Sequence, residues 1–457
     1  MTGIPLPWTL IAMNYVYIEQ LGCAKNQVDG EVMLQHLRDT GQWELCEDPS
    51  RAHLILVNTC GFIESAREES INVLLELRSS YPDAKVVMTG CLSERYAELI
   101  AEDLLEADGF FGNRDLSLIT DIASQVLSNH RAVALPREYR EPLVDREHSF
   151  SFPGSTYLKL SEGCSHRCRY CSIPLIRGDL RSRTSDDVLS EFRMLRSRGM
   201  EEINLVAQDL AAFGTDRGSS EFLDLLKRMT DEEGDFWIRL LYIHPDHFPR
   251  ELLDLAAADE RILPYFDIPF QHGAEKVLRS MGRRGDAESY LGLIDEIRGR
   301  VSDSVIRSTF MLAFPGEGNR EFSQLLDFVS RAKLDWAGMF VYSREEGTPA
   351  YEDRQQAAHN RAVRRGEERK QKLQLLQQGI TEGQLERWIG RDMDVLIEEP
   401  ITGEDLAIGR SFLQAPEVDG STVVRAEGME AGARHRCRII RRNGIDLEAV
   451  LVEGEDG

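Results

Sequence analysis

Three cysteines near the middle of the chain have the spacing of a metal-cluster loop. Cys164, Cys168 and Cys171 stand at C-x3-C-x2-C spacing, so one short loop can hold three thiolates on three corners of an iron-sulfur cube. The fourth iron then has no protein ligand, and such an open position can take a substrate, as catalytic metal sites do. Tyr170, directly before the last cysteine, can pack its ring near a cofactor bound there.

Two other uses of these cysteines compete with this interpretation. A zinc site would need His166 as the fourth ligand, but His166 lies inside the same tight loop and no paired C-x2-C knuckle accompanies it. A disulfide needs an oxidising compartment. Eight cysteines in 457 residues, six of them in two groups, favour metal binding in a reducing cytoplasm. Cys46 and Cys437 stand outside both groups, and we interpret them as core or surface thiols.

The second group of cysteines lies in the amino-terminal third of the chain. Apolar runs, the last at Gly109–Gly112, alternate there with helical stretches, which is the pattern of a doubly wound parallel sheet. Each cysteine follows one of the first three predicted strands: Cys23 follows Tyr15–Glu19, Cys60 follows His53–Asn58, and Cys91 follows Lys85–Thr89. Because the carboxyl ends of parallel strands line one edge of a sheet, we expect the three thiols to converge.

Six candidate strands separated by helical stretches follow in the centre of the chain. They are Thr156–Leu160, Glu202–Ala207, Trp237–Tyr242, Tyr265–Pro269, Val305–Leu312 and Trp336–Tyr342. This pattern predicts an open, partial (β/α)6 barrel with its active face at the carboxyl ends of the strands. Gln208 and Asp209 follow the second strand, His244 the third and His272 the fourth. Both histidines can equally be capping or core residues, and we assign them no catalytic role.

The last part of the chain contains two stretches of different sequence pattern. Residues 352–387 are charged, with Leu373, Leu375, Leu376, Ile380 and Leu385 at roughly helical spacing, which predicts a long amphipathic connecting helix. After Gly390, five short apolar segments separated by turns predict a small antiparallel β-barrel. We therefore expect an α/β protein of three domains, at residues 14–130, 150–375 and 385–455.

The residues around the central cysteines resemble those of a known family. The cysteine loop with its continuation Cys-Ser-Ile-Pro-Leu-Ile-Arg-Gly-Asp-Leu-Arg-Ser-Arg183 is similar to the radical S-adenosylmethionine (SAM) methylthiotransferases. The resemblance extends through Met281-Gly-Arg-Arg-Gly, Phe314-Pro-Gly-Glu and Phe340-Val-Tyr-Ser-Arg-Glu-Glu-Gly-Thr. One departure is Ala313, where many radical-SAM enzymes have a glycine before the Pro-Gly-Glu turn.

This resemblance implies an enzyme that transfers sulfur-containing groups with two 4Fe-4S clusters. Cys164, Cys168 and Cys171 would hold the cluster that binds SAM and cleaves it to a 5'-deoxyadenosyl radical. Cys23, Cys60 and Cys91 would hold a second cluster that carries the sulfur to be donated. Tyr170, Gln208 and Asp209 would contact SAM, although Gln208 and Asp209 could instead cap a strand end. The terminal barrel would be a TRAM domain, a module that often contacts RNA.

Charge distinguishes two branches of this family. The chain carries a net charge of -24, and its last 76 residues hold 17 Asp or Glu against 9 Arg and no Lys. A branch that adds methylthio to a tRNA adenosine would benefit from a basic docking surface. The RimO branch modifies the β-carbon of an aspartate in small-subunit ribosomal protein twelve, a basic protein that an acidic enzyme matches better. We therefore expect the RimO branch, with tRNA modification and a non-catalytic iron-sulfur RNA-binding protein as alternatives.

The remaining expectations concern compartment and partners. The opening residues lack Lys and Arg and contain Pro5 and Pro7, so a signal peptide is not expected. We interpret Met13 as the natural start and residues 1 to 12 as an extension. No apolar run approaches the roughly 18 residues of a membrane span. The expected protein is cytoplasmic and works with a reductant protein, ribosomal protein twelve as substrate, and possible ribosome or RNA contact through the TRAM domain.

Overall fold

A computed structural model of the protein describes residues 13–140 and 145–452. Our interpretation of residues 1 to 12 lies outside the described residues. The chain divides into two compact units, Met1–Phe150 and Ser151–Gly457, and each is described by itself. In the part of the chain that the structure describes, no helix is long and apolar enough to cross a membrane.

The amino-terminal unit is a parallel sheet with helices between its strands. Its elements are β1 Asn14–Gln20, α1 Ala24–Asp39, β2 Trp43–Leu45, β3 Leu54–Thr59, α2 Glu64–Ser80, β4 Lys85–Gly90, α3 Cys91–Ile100, β5 Gly109–Phe111, α4 Ile119–Leu127 and β6 Ala132–Ala134. The strand order is β2-β1-β3-β4-β5-β6 with every pair parallel. The predicted fold class and its four strands are confirmed, and the short edge strands β2 and β6 were not predicted.

The burial of β3 and β4 explains why this sheet forms. All six residues of β3 are buried, and five of the six in β4 are. A continuous apolar run of this length suits a strand covered by helices on both faces, as parallel sheets require. Because β1, β3 and β4 are neighbours, their carboxyl ends lie side by side at one edge of the sheet.

The second unit begins with a six-stranded parallel sheet. Its elements are β7 Ser155–Lys159, β8 Ser161–Glu162, α5 Ile173–Ile176, β9 Arg181–Ser182, α6 Ser185–Ser197, β10 Glu202–Val206, α7 Phe222–Thr230, β11 Trp237–Leu241, α8 Leu252–Ala258, β12 Ile262–Asp267, α9 Glu275–Ser280, α10 Ala287–Arg300, β13 Val305–Leu312, α11 Asn319–Ala332 and β14 Trp336–Val341. The large strands follow chain order, β7-β10-β11-β12-β13-β14, and every pair is parallel. This is the predicted partial barrel, with α8 as a helix that was not predicted.

The unit ends with a long helix and a small barrel. The remaining elements are α12 Gln356–Glu386, β15 Asp392–Pro400, β16 Leu406–Arg410, β17 Thr422–Arg425, β18 Arg434–Asn443 and β19 Asp446–Leu451. The five strands close in the order β15-β16-β17-β19-β18. All neighbours are antiparallel except β17 and β19, which are parallel. The prediction of a small β-barrel is confirmed, with this one parallel pair as a difference.

Candidate cluster and cofactor sites

The central cysteines lie in a loop that a short hairpin closes. The strands β8 and β9 pair antiparallel, with Ser161 opposite Ser182 and Glu162 opposite Arg181. Within the loop that β8 and β9 enclose, the Cys164 N–H donates to the carbonyl of Gly178 at 3.1 Å. The hairpin therefore brings both ends of the loop together and fixes where the first cysteine leaves β8.

Gly163 shows why the loop needs a glycine beside its first cysteine. Its φ is +71°, and a Cβ built on it would lie 2.1 Å from the carbonyl oxygen of Asp179. A left-handed conformation combined with backbone at that distance excludes any side chain.

A buried ion pair supports the base of the same loop. Glu162 accepts hydrogen bonds from Arg177 Nη1 at 2.8 and 2.9 Å, and Lys159 Nζ lies 2.7 Å from the same carboxylate. Burial raises the pKa of Glu162, but Arg177 and Lys159 lower it by more, to about 2. The carboxylate is therefore ionised, and it ties β8 to the short helix α5 that follows the cysteines.

The three thiols are partly buried and lie beside an aromatic cluster. Cys168 and Cys171 pack against a buried group that includes Tyr170, Phe314 and Tyr342. Burial raises the pKa of Cys164 to about 11 and that of Cys171 to about 12. Without a metal the Cys164 and Cys171 thiols are neutral near pH 7, and thiolates at these two positions would need a cation to hold them. The donor set, three sulfurs on one short loop, fits a three-cysteine cluster.

Several strand-end side chains carry buried polar atoms without a partner. Both amide atoms of Gln208 are buried without a hydrogen bond, and so are Gln271 Oε1 and the Tyr342 hydroxyl. His272 Nε2 also makes no hydrogen bond, but it lies 3.7 Å from the Glu317 carboxylate. All four residues follow carboxyl ends of strands in the partial barrel. Buried polar groups normally form hydrogen bonds, so several unbonded polar atoms at the same end of a sheet indicate a binding site for a polar ligand. The residues present therefore fit a molecule such as SAM, whose amino, carboxylate and ribose groups need partners.

Asp209, in contrast, is engaged by the protein itself. One oxygen accepts from the N–H groups of Ala211 at 3.1 Å and His244 at 3.0 Å. The other lies 2.6 Å from His166 Nε2. His166 also stacks on His247 at a ring distance of 5.0 Å. This is the strand-capping alternative, and direct contact between Asp209 and SAM stays a prediction.

Ala313 adopts the left-handed conformation that a glycine would adopt easily. Its φ is +60°, its N–H donates to Glu317 Oε2 at 2.6 Å, and its carbonyl accepts from Arg354 Nη1 at 2.8 Å. Gly366 in α12 makes room for its methyl group, since a Cβ there would lie 2.9 Å from that of Ala313. The turn therefore keeps a glycine-like backbone although the residue is alanine.

The second cysteine group stands at the carboxyl ends of three neighbouring strands. Cys23 precedes α1 after β1, Cys60 follows β3, and Cys91 begins α3 directly after β4. Each has a glycine next to it in the sequence. At Gly61 a Cβ would lie 2.6 Å from the Cys91 carbonyl oxygen, so the Cys60 loop and the Cys91 helix are in close contact.

A polar network lies beneath these cysteines. Asn26 Nδ2 donates to the Thr59 carbonyl at 3.3 Å, while Asn26 Oδ1 is buried without a partner. Asn58 Nδ2 donates to the Asn26 carbonyl and to Gln20 Oε1, both at 2.8 Å. Asn113 Nδ2 lies 3.7 Å from Cys91 Sγ. The amides fix the strand ends, and Asn26 keeps one acceptor free for a group bound nearby.

The described residues contain no set of three His, Cys, Asp or Glu side chains arranged around a single metal ion. In a 4Fe-4S cluster each thiolate binds a different iron, so its sulfurs stand farther apart than the ligands of one ion. Cys46 and Cys437 are buried, and Cys46 Sγ lies 3.5 Å from the Val16 carbonyl, as expected for core thiols.

Three family models match the chain along its length. They are the uncharacterized protein family UPF0004 at residues 15–112, the radical SAM superfamily at 158–329 and the TRAM domain at 389–452. A relative from Treponema denticola, ribosomal protein uS12 methylthiotransferase RimO, is 42% identical over 94% of this chain and 99% of its own. The chain belongs to the RimO family. RimO proteins of the same full name from Moorella thermoacetica, at 39% identity over 92% and 95% of the two chains, and Heliobacterium modesticaldum, at 38% over 96% of both, agree.

Solved structures support the fold of a RimO-family protein. The radical S-adenosylmethionine methyltransferase TsrM from Kitasatospora setae, solved with tryptophan and a SAM analog, superposes with a TM-score of 0.55. The match covers 74% of this chain and 75% of TsrM at 16% identity, so it concerns the fold alone. Membership of the radical SAM superfamily implies SAM and one 4Fe-4S cluster as cofactors. The predicted family, fold class and type of enzyme are thereby confirmed.

One buried charged residue beside the cysteine loop was not singled out by the sequence analysis. Arg283 is buried beside the cysteine loop, with Nη2 2.9 Å from the Tyr170 hydroxyl. It lies within the Met281-Gly-Arg-Arg-Gly motif, and that motif is the only signal that could have marked it.

Proposed function

We propose that this chain is a methylthiotransferase that modifies the β-carbon of an aspartate in ribosomal protein uS12. The observation that carries the proposal is the likeness to RimO relatives, which spans 99% of the Treponema denticola protein at 42% identity. The similarity covers 94% of this chain, and family models for the UPF0004, radical SAM and TRAM segments match along it in turn.

The proposed division of labour assigns one cluster to each cysteine group. Cys164, Cys168 and Cys171 hold the 4Fe-4S cluster that, with SAM bound, supplies a 5'-deoxyadenosyl radical for hydrogen abstraction. Cys23, Cys60 and Cys91 hold the second cluster, which carries the sulfur. Support for the second assignment is their place after three adjacent parallel strands, each beside a glycine.

The residues around the first group have distinct proposed tasks. The Gln208 amide, with both polar atoms buried and unpaired, hydrogen-bonds SAM. Tyr170 packs its ring beside Phe314, at a ring distance of 6.2 Å, and shields the cofactor from water. Asp209 keeps its predicted contact with SAM, and its bond to the His244 N–H holds two neighbouring strand ends in register.

The charge of the small barrel favours a protein substrate over tRNA. Each of the five arginines of β18 has a carboxylate partner: Arg434 with Glu201, Arg436 with Asp394, Arg438 with Asp392, Arg441 with Glu448 and Arg442 with Glu382. Partnered arginines attract phosphates less than free ones, because the neighbouring carboxylate repels the same phosphate. Any ribosome or RNA contact through this barrel is therefore proposed as secondary to recognition of uS12.

The test is a comparison of substrates with the anaerobically reconstituted full chain. With dithionite and SAM, we expect 5'-deoxyadenosine together with a methylthio group on uS12, detected by mass spectrometry of the protein. Unmodified tRNA treated in parallel should gain nothing. Modification of tRNA and not of uS12 would replace the proposal with the tRNA branch, and absence of 5'-deoxyadenosine would favour a non-catalytic iron-sulfur protein.

A further inference from the structure

The segment after α9 lies directly on the cysteine loop. The Arg169 N–H donates to the carbonyl of Met281 at 3.0 Å. The Cα of Gly282 faces the same loop, since a Cβ there would lie 3.7 Å from Arg169 N. The next residue, Arg283, is 4% exposed. Because this segment is hydrogen-bonded to the cysteine loop, the Arg283 guanidinium is held in the protein interior beside that loop.

Arg283 has no carboxylate partner among the described residues. Nη2 donates to the Tyr170 hydroxyl at 2.9 Å, Nη1 donates to the Pro269 carbonyl at 3.0 Å, and Nε has no partner. The other buried arginines differ, as Arg177 and Arg410 each bind a buried glutamate. An arginine does not lose its proton in proteins, so the positive charge of Arg283 needs an anion from elsewhere.

The cysteine group lies within electrostatic reach of this charge. Tyr170, whose hydroxyl accepts from Arg283 Nη2 at 2.9 Å, stands directly before Cys171 and packs in the same cluster as Cys168 and Cys171. Burial lowers the pKa of Arg283, but Tyr170 and Cys168 together with other neighbours raise it by more, so that it lies above its ordinary value. A buried cation therefore lies beside the cysteine loop.

We propose that Arg283 is the built-in counter-cation of the cluster held by Cys164, Cys168 and Cys171, and that it makes this cluster easier to reduce. Three thiolates give such a cluster a net negative charge, and one electron from the reductant adds another without any bond forming or breaking. Net charge and burial are among the factors that set the reduction potential of a cluster. A cation fixed in a site of low dielectric stabilises the reduced state more than the oxidised one. The inference rests on the proposed function, which assigns a cluster to these cysteines.

A purely structural role is the competing explanation. In that case Arg283 would serve only to tie Tyr170 to Pro269 through its two hydrogen bonds. Such a tie needs donors at the right places but not a charge, so it leaves the reduction potential of a correctly assembled cluster unchanged. The two roles are separated by measuring that potential.

The experiment uses full-length chain in which Cys23, Cys60 and Cys91 are replaced with alanine, so that one cluster titrates. Its potential is measured anaerobically by redox titration with electron paramagnetic resonance, in this parent and in Arg283→Gln, Arg283→Lys and Arg279→Gln. We expect Arg283→Gln to lower the equilibrium constant for reduction about tenfold, which is 59 mV for one electron. Arg283→Lys should recover most of the shift. Arg279, 53% exposed on α9, is the control and should have no effect.

The outcomes separate the inference from the proposed function. A parent chain that binds no iron contradicts the cluster assignment itself, and with it the inference. A loaded cluster whose potential is unchanged in Arg283→Gln overturns the inference alone. If Arg283→Gln does not retain iron, urea unfolding of the metal-free parent and the metal-free variant distinguishes the counter-cation role from the structural role. Unchanged or higher stability of the metal-free variant supports a counter-cation, whereas lower stability or failure to fold indicates a structural tie and overturns the proposal.

Discussion

The carboxylate of Glu202, at the start of β10, accepts a hydrogen bond of 2.7 Å from the guanidinium of Arg410 in β16. Both side chains are buried, and Arg239 of β11 donates to the same carboxylate at 2.8 Å. Arg239 also donates to the Phe412 carbonyl at 2.9 Å. These bonds fasten the small β-barrel to the amino-terminal ends of the sheet strands, opposite the end that carries the cysteine loop.

Replacing Glu202 with Gln should destabilise the second unit by about 3 kcal/mol, because breaking a buried ion pair leaves an uncompensated charge. The measurement is urea unfolding followed by fluorescence. Glu201→Gln is the matched control, since Glu201 is 30% exposed, pairs with Arg434, and should cost less than about 1 kcal/mol. Equal losses in the two variants would contradict the importance of this link.

The same carboxylate predicts an acid dependence of stability. Burial raises the pKa of Glu202, but Arg410 and Arg239 lower it by more, so that it lies well below its ordinary value of 4.5. A carboxyl with a depressed folded-state pKa contributes stability that is present above the unfolded pKa and lost as the pH falls towards the folded one. Unfolding titrations from about pH 6 to about pH 3 should therefore show a steeper loss in the native chain than in Glu202→Gln. Parallel curves would count against this assignment.

Gly163→Ala should prevent the central cysteines from holding a cluster. The new Cβ would lie 2.1 Å from the Asp179 carbonyl oxygen, so the hairpin must open, at a cost beyond the roughly 1 to 3 kcal/mol of a left-handed non-glycine residue. Gly199→Ala separates the two effects, because Gly199 has φ +80° with no atom near the added Cβ. Iron and sulfide analysis should show loss from the first variant and retention in the second.

The two cysteine groups should give different phenotypes. Cys168→Ala should abolish 5'-deoxyadenosine formation, because the loop then offers two thiolates to the cluster that binds SAM. Cys60→Ala should retain part of this activity while methylthio transfer to uS12 stops. Both products are quantified by mass spectrometry. Indistinguishable variants would argue that the groups do not divide the work as proposed.

A glycine in the amino-terminal unit offers a separate test of the second group. Gly61→Ala would place a Cβ 2.6 Å from the Cys91 carbonyl oxygen, so the loops of Cys60 and Cys91 must move apart. We expect about half of the iron to be lost, with 5'-deoxyadenosine formation largely retained. Gly41→Ala, at φ +69° with no atom near the added Cβ, is the control for a glycine replacement in the same unit that displaces no neighbouring loop. Full iron content in Gly61→Ala would show that the second group tolerates the displacement.

The large strands, and the short β5 with its two adjacent phenylalanines, could be predicted from apolar runs, whereas β2, β6 and α8 could not. The edge strands β2 and β6 have three residues each, and α8 has seven, too few for a period to emerge. In α12, Leu373 is fully buried while Leu375 is 71% exposed. Residues two apart lie on different faces of a helix, so only one of these leucines can join the core.

Some residues of the candidate site could be predicted from the sequence, and others could not. Cysteines can be located from their spacing and from the strands before them, because these are local patterns. Tyr170 and Arg283, however, are 113 residues apart, and Glu202 and Arg410 are 208 apart. Neither pairing leaves a periodic or spacing signal, since each partner's environment exists only once the sheet has formed.

Ala313 gives the free protein a turn that is rigid in advance of any ligand. A glycine at φ +60° could leave that conformation freely, whereas the methyl group here is confined between the strand end and Gly366 of α12. Ordering a loop when a ligand arrives costs binding free energy. In this chain the turn is already ordered when the protein folds, so ligand binding at the strand ends requires less ordering and the affinity is higher.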